Sequence, residues 1–210
     1  MRIFVLTALV VISAALTISA ECRGPKRNLY FFKPLTTILI ILLAAIPKYP
    51  VPAVYRYLII AGLVFSLVGD VFLMLPSDKF IQGLLSFLVA HLFYIAAFMF
   101  AGAGAVSKWV GVVLLIYGGL MVWRLWPTLG HMKAPVAVYT LAILLMALMA
   151  VSWYLKGGRE GSYLAAVGAI VFVASDSILA VNRFKGNFRG AQFFILTTYF
   201  TAQSLIALST

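Results

Sequence analysis

Residues 54–75 read VYRYLIIAGLVFSLVGDVFLML, with two charges in the whole stretch, Arg56 in the first turn and Asp70 near the far end. An apolar run of about twenty residues is what one helix needs to cross a hydrocarbon core roughly 30 Å thick. In lipid only helices and closed barrels satisfy their own backbone groups, and this run lacks the strict alternation of a barrel strand. It reads as a transmembrane helix. Working outward, runs of the same kind lie near Ile3–Ala20, Pro34–Ile46, Phe80–Ala101, Trp109–Leu125, Pro135–Leu155, Ser162–Val181 and Ala191–Leu208, separated at prolines, glycines and clustered charges. The second is short, because Pro34 opens it and Pro47, Pro50 and Pro52 follow it. The fold class is therefore all-α, a polytopic membrane protein with eight transmembrane helices. The connections are too short for a second domain, so residues 1–210 are expected to form a single integral-membrane domain.

Composition excludes a water-soluble body. The 210 residues are 64% hydrophobic and 10% charged, with a mean hydropathy of +1.10, against roughly 45–50% and 25% in an ordinary soluble domain. Sixteen Lys and Arg against five acids give a net charge of +11. They are scattered between apolar runs without an aromatic–basic recognition patch, which suits loops facing anionic lipid and not nucleic acid. Ten of the sixteen fall after the first, third, fifth and seventh runs and six on the other face, which places the odd-to-even loops in the cytoplasm and both termini outside. The first run resembles a signal peptide, with Ile18-Ser19-Ala20 as a passable cleavage site. Its single n-region charge and spanning length favour a retained helix. The compact chain without long tails fits a bacterial inner membrane. Cys22 is the lone cysteine, so no internal disulfide or thiolate cluster can form.

A weak internal similarity runs through the chain. Lys33-Pro34 opens the second run as Lys133-Ala134-Pro135 opens the sixth, and Gly69-Asp70 ends the third much as Ser175-Asp176 ends the seventh. An offset of four helices would make two parallel repeats about an axis along the membrane normal.

Glu21, Asp78 and Glu160 fall in loops, but Asp70 and Asp176 lie inside apolar runs. An acid there costs ~2.5–3.5 kcal/mol on insertion scales and is a functional-site hypothesis by default. Both are read at one depth, roughly 8–10 Å below the cytoplasmic ends of their helices at 1.5 Å per residue. The bland alternative is that each carboxyl bonds a neighbouring helix as packing glue. His91 falls near the middle of the fourth run, joined to the helix of Asp70 by a tight turn, so the two are expected within reach of each other, directly or through a water or tyrosine; a purely structural imidazole is the alternative. His131 reads as a loop residue. Two histidines cannot build a three-histidine zinc site, and no metal or other cofactor is expected. Tyr139 lies on the cytoplasmic half of the sixth run, and Tyr199 and Gln203, four apart, line one face of the eighth. Asn182 precedes the basic cluster Arg183, Lys185 and Arg189; this cluster either only retains topology or, with Arg183 or Lys33, holds a lipid phosphate above the acids.

These residues fall in a familiar order: Lys33-Pro34; Gly69-Asp70-Val71-Phe72-Leu73-Met74; Gly83 through Phe87 to Ala90-His91 and Tyr94; Pro135-Val136 to Tyr139; Ser175-Asp176 to Ala180 and Phe184; and Tyr199 to Gln203. The arrangement, which covers nearly the whole chain, resembles the YhhN-type membrane proteins, whose animal members are lysoplasmalogenases. That resemblance implies eight helices and hydrolysis of the vinyl ether bond of a lysophospholipid to a fatty aldehyde and a glycerophospho-base. The chemistry begins with protonation of the β-carbon, which leaves an oxocarbenium ion that water captures as a hemiacetal. Two carboxyls suit it, because burial and mutual repulsion keep one protonated while its ionised partner stabilises the cation or activates water. The expected catalytic set is Asp70 and Asp176, oriented by His91 and Tyr139, with Lys33, Asn182, Arg183, Tyr199 and Gln203 binding the lipid. A proton-coupled transporter or lipid-binding protein is the rival reading of the same intramembrane acids.

Overall fold

The computed structural model describes residues 2–46, 48–102 and 106–210, the side chain of Arg2 excepted. Eight helices cross the molecule: α1 (Arg2–Arg23), α2 (Lys26–Ala45), α3 (Ala53–Met74), α4 (Phe80–Phe100), α5 (Lys108–Leu125), α6 (Lys133–Leu155), α7 (Ser162–Phe184) and α8 (Ala191–Leu208). All eight are long and apolar enough to span a membrane. Two short 3₁₀ turns, Trp126–Thr128 and Gly130–Met132, join α5 to α6 and carry the exposed His131.

The sequence expectation fails most at α2, which begins at Lys26 and carries Pro34 in its interior. Interior proline costs about 3 kcal/mol. Burial outweighs it, since Leu29, Lys33, Thr36, Thr37 and Ile40 make an inward stripe at helical spacing. The real break is Gly24-Pro25, with Pro25 extended at φ −69° and ψ 138° before the first turn. Pro47, one of the expected breaks, lies outside the described residues, while Pro52 stands at the N-cap of α3. The loop placement of Glu21 is likewise corrected, because α1 runs on to Arg23 and takes Glu21 into its last turn. α7 continues to Phe184, so Asn182 and Arg183 end a helix and do not follow one.

Close approach at glycine fixes the central pair. A Cβ on Gly62 would lie 2.3 Å from the ring of Tyr94, and one on Gly69 2.6 Å from that of Phe87. The two contacts are seven residues apart on each helix, so α4 lies antiparallel along α3 for two turns. Helix contacts then follow the offset of four: α3 packs on α4 as α7 on α8, α2 on α3 as α6 on α7, and α2 on α8 as α6 on α4. The correspondence fails most clearly at α1 and α5. α1 packs on α8, whereas its counterpart α5 makes no comparable contact with α4. At the end of the bundle where α3 starts, Tyr55, Phe98 and Trp153 close the core, with Tyr55 and Trp153 ring centroids 5.3 Å apart. The opposite end, where α3 and α7 finish, is open.

Candidate active site

Asp70 is four residues from the end of α3 and Asp176 eight from the end of α7, depths of about 6 and 12 Å at 1.5 Å per residue. They do not share one depth, because α7 runs past the predicted boundary.

Each acid is served by two neighbouring helices. Lys33 on α2 sits 3.3 Å from Asp70 Oδ1. Thr37, one turn further along α2, and Tyr199 on α8 both donate to Oδ2 at 2.7 Å. Behind Tyr199 every proton points the same way: Tyr94 donates to Gln203 Oε1 at 2.8 Å, and Gln203 Nε2 donates to the Tyr199 hydroxyl at 3.3 Å. Such a donor set complements an acceptor-only carboxylate. Lys33 was expected to hold a phosphate; its ammonium is instead committed to Asp70, since a buried charge requires a partner.

Asp176 has a different retinue. Tyr139 on α6 donates a short hydrogen bond to its Oδ2, and His91 on α4 places Nε2 3.0 Å from the Tyr139 hydroxyl and 3.9 Å from the same oxygen. His91 therefore belongs with Asp176 and not with Asp70 as the tight α3–α4 turn suggested; eleven residues into α4, it lies too deep for the shallower acid. Because Tyr139 spends its one proton on Asp176, it accepts from His91 Nε2–H, and His91 Nδ1 is left buried without a partner among the described residues. Among the described residues the other oxygen of Asp176, Oδ1, has no hydrogen-bond partner, and its side chain is 13% exposed against 2% for Asp70. Phe172 stands edge-on to both Tyr199 and His91, with centroids 5.8 and 4.9 Å away, and divides the two networks.

Both acids line one polar chamber of about 730 Å³ at the open end, together with Lys33, Asn182, Arg183 and Tyr199. Behind it, between α4, α5, α6 and α7, lies a narrow apolar slot of about 60 Å³ that includes Tyr139, Gly118 and Leu144. Asp176 lines both spaces and Asp70 only the chamber. At the rim, Arg183 is held by Asp78 at 2.5 Å, with its guanidinium 4.8 Å over the Phe80 ring. Asn182 accepts from the backbone of Phe188 at 3.4 Å. Gln203 and His91 are fully buried and support the chamber from behind.

Thr37, Tyr94 and Phe172 escape the sequence reading of the site. Thr37 stands four residues after Lys33 and would have been found had α2 been extended through Pro34. Phe172 carries no such signal, because an aromatic in an apolar run reads as packing.

Residues 29–210 match the YhhN family. The chain is 29% identical to the "Uncharacterized membrane protein YhhN" of Escherichia coli O157:H7 over 95% of each chain. It is 36% identical to human "Lysoplasmalogenase TMEM86A" over 72% of this chain and 64% of that protein, and 34% identical to the "Lysoplasmalogenase" of Mycobacterium bovis over 84% and 67%. No solved structure matches. With the match covering all but α1 and the first turn of α2, this chain belongs to the YhhN family of membrane proteins.

Proposed function

We propose that the protein, a single integral-membrane domain of a bacterial inner membrane, hydrolyses the vinyl ether bond of a lysoplasmalogen, releasing a fatty aldehyde and a glycerophospho-base. The observation that carries the reading is the place of Asp176, the one acid that lines both a polar chamber and an apolar slot. A single-chain phospholipid has that same division, and its vinyl ether sits at the boundary between headgroup and chain. Relatives named lysoplasmalogenase at 34–37% identity support the substrate class.

The two acids take different roles. Asp176 gives its proton through Oδ1 to the β-carbon; the C=C π pair forms the new C–H bond, and the ether oxygen shares the resulting charge as an oxocarbenium ion. Asp70, paired with Lys33 and hydrogen-bonded by Thr37 and Tyr199, faces the chamber and stabilises that cation. Water adds to the cationic carbon and returns a proton to the Asp176 carboxylate. The hemiacetal then collapses to aldehyde and alcohol, so no net proton is consumed. Tyr139, backed by His91, orients Asp176: its hydroxyl donates to Oδ2 in both protonation states of the carboxyl and leaves Oδ1 to carry and deliver the proton. Arg183 and Asn182 receive the phosphate at the rim.

The test is aldehyde release from a defined lysoplasmalogen by purified protein in mild detergent, beside Asp176→Asn matched for thermal stability. Release by the parent protein and its loss in the variant are expected. Undiminished turnover by folded Asp176→Asn removes the acid role, and proton-coupled uptake without aldehyde would replace the hydrolase with a carrier.

A further inference from the structure

The slot behind Asp176 has a second neighbour on the lipid side. Between α5 and α7 an open groove of about 350 Å³ faces the bilayer, lined by Tyr117, Met121, Ala174, Ser177, Ile178 and Val181 among others. Three of these residues, Tyr117, Met121 and Ser177, also line the slot. The two spaces are thus opposite sides of one thin wall. Among the described residues the wall has a single polar fastening: the Tyr117 hydroxyl donates to Ser177 Oγ at 2.7 Å, while Ser177 donates in turn to the carbonyl of Val173. Elsewhere α5 touches α7 sparingly, leans on α6 and packs little on α4. Gly118 lets it do so, since a Cβ there would lie 2.2 Å from Leu144. A helix held by one neighbour and one exposed hydrogen bond is the element of this bundle that moves most easily.

We infer that groove and slot together form one binding site for the hydrocarbon chain of a single-chain lipid, taken sideways from the bilayer between α5 and α7, with the Tyr117–Ser177 hydrogen bond as its fastening. The occupant follows from continuity. The groove is apolar and open to lipid tails, the slot behind it is apolar and narrow, and its inner end is Asp176. The closed slot, at about 60 Å³, holds only a few methylenes, so a full chain requires α5 to swing outward. The same passage returns the aldehyde to the bilayer, where its chain is soluble and water is not. This site rests on the proposed hydrolase reading for its purpose but not for its existence.

The experiment is photolabelling of the full chain in phosphatidylcholine vesicles by a lysophospholipid whose saturated ether chain ends in a diazirine. The saturated ether has no vinyl group, so labelling needs no turnover. Label is expected on Met121, Ile178 and Val181 and, deeper, on Ile143 and Leu144, and is expected to be displaced by excess unlabelled lysolipid. Tyr117→Phe and Ser177→Ala each raise the rate of deep labelling about fivefold, the factor worth one ordinary neutral hydrogen bond. Met121→Trp, which narrows the passage, abolishes it. Ala174→Trp fills the groove from the exposed side without entering the core and does the same, so that misfolding of the first variant cannot imitate the result. Label confined to other helices, absent altogether, or unmoved by both tryptophans overturns the site. Displaceable label in the slot of a protein that releases no aldehyde leaves the site standing and removes the hydrolase; aldehyde release with label elsewhere does the reverse.

Discussion

The two intramembrane acids occupy corresponding places and live in unlike surroundings. Asp70 on α3 draws its partners from α2 and α8, and Asp176 on α7 draws its own from α6 and α4, the same helices shifted by four. Yet Asp70 has three donors, one of them a lysine, while Asp176 has a tyrosine, a histidine behind it and one free oxygen. The packing supplies the cause. α1 closes on α8 beside the first network, but α5 stays off α4 beside the second, and the slot opens there. The same arrangement of helices holds one acid on three donors and leaves the other with an oxygen that has no partner among the described residues, and the position of a single helix separates them.

The comparison breaks most readily at stability. Asp70→Asn leaves Lys33 as a buried ammonium without its counter-ion, a loss of about 3–5 kcal/mol when one partner of a buried pair is removed. Unfolding in detergent should show it as a large fall in midpoint, and Lys33→Met added to Asp70→Asn should recover most of it. Asp176→Asn, which keeps an acceptor for Tyr139 and faces a chamber open to water, should cost about 1 kcal/mol, the worth of one hydrogen bond. Equal losses for the two asparagine variants would mean that the acids are equivalent packing groups, and the division of roles would fall.

The tyrosines sharpen it. Tyr139→Phe removes the one hydroxyl that joins His91 to Asp176, leaving both ring nitrogens of His91 without partners, and turnover should fall about 100-fold, the lower range for a mispositioned general acid. Tyr199→Phe leaves Asp70 with Lys33 and Thr37, so its effect should appear in stability, about 1–2 kcal/mol, with turnover changed only severalfold. Parallel measurement of kcat and unfolding midpoint separates the two patterns. His91→Gln should shift the limb on which kcat falls as pH rises if the ring shares the proton that Asp176 donates, which a purely packing imidazole would not do.

Much of this was legible in the chain. Eight apolar runs fixed the helix count because lipid leaves helices no rival, and both acids declared themselves by the cost of burying them. The pairing was harder. Asp70 and His91 are near in sequence, and only their depths, which depend on where helices end, send His91 to the other acid. The apolar run of α7 ends at Val181, yet Asn182 and Arg183 continue the helix and line the chamber mouth as its last turn. Pro34 reads as a helix start, which leaves Lys33 outside the run, and the buried stripe that carries the helix through that proline exists only once α3 and α8 are in place. The groove between α5 and α7 had no signal, since Tyr117 and Ser177 meet across sixty residues.

The smallest effect belongs to the contact that ties the two acid-bearing helices together at the surface. Asp78 follows α3 and Arg183 ends α7; their bond and the stacking of Arg183 on Phe80, itself edge-on to Phe184 at 5.7 Å, hold the chamber mouth. The guanidinium beside it holds the Asp78 carboxyl below the usual carboxylate range. A carboxyl depressed in the folded state contributes its stabilisation above its ordinary value and loses it as pH falls through the depressed one, so the pair is intact at neutral pH and released only in strong acid. Both side chains are well exposed, at 43% and 66%, so salt screens the bond and Asp78→Asn should leave the unfolding midpoint nearly unchanged. Its consequence lies in binding. Asp78 occupies the cation that a lipid phosphate would use, and removing its charge should lower KM for a phosphate-bearing lysolipid about two- to threefold at low salt, an advantage that fades as ionic strength rises, while kcat stays the same. Arg183→Gln should raise KM and abolish the salt dependence. A change confined to kcat in either variant would place this contact with the acids themselves, and the mouth would cease to be a separate part of the machine.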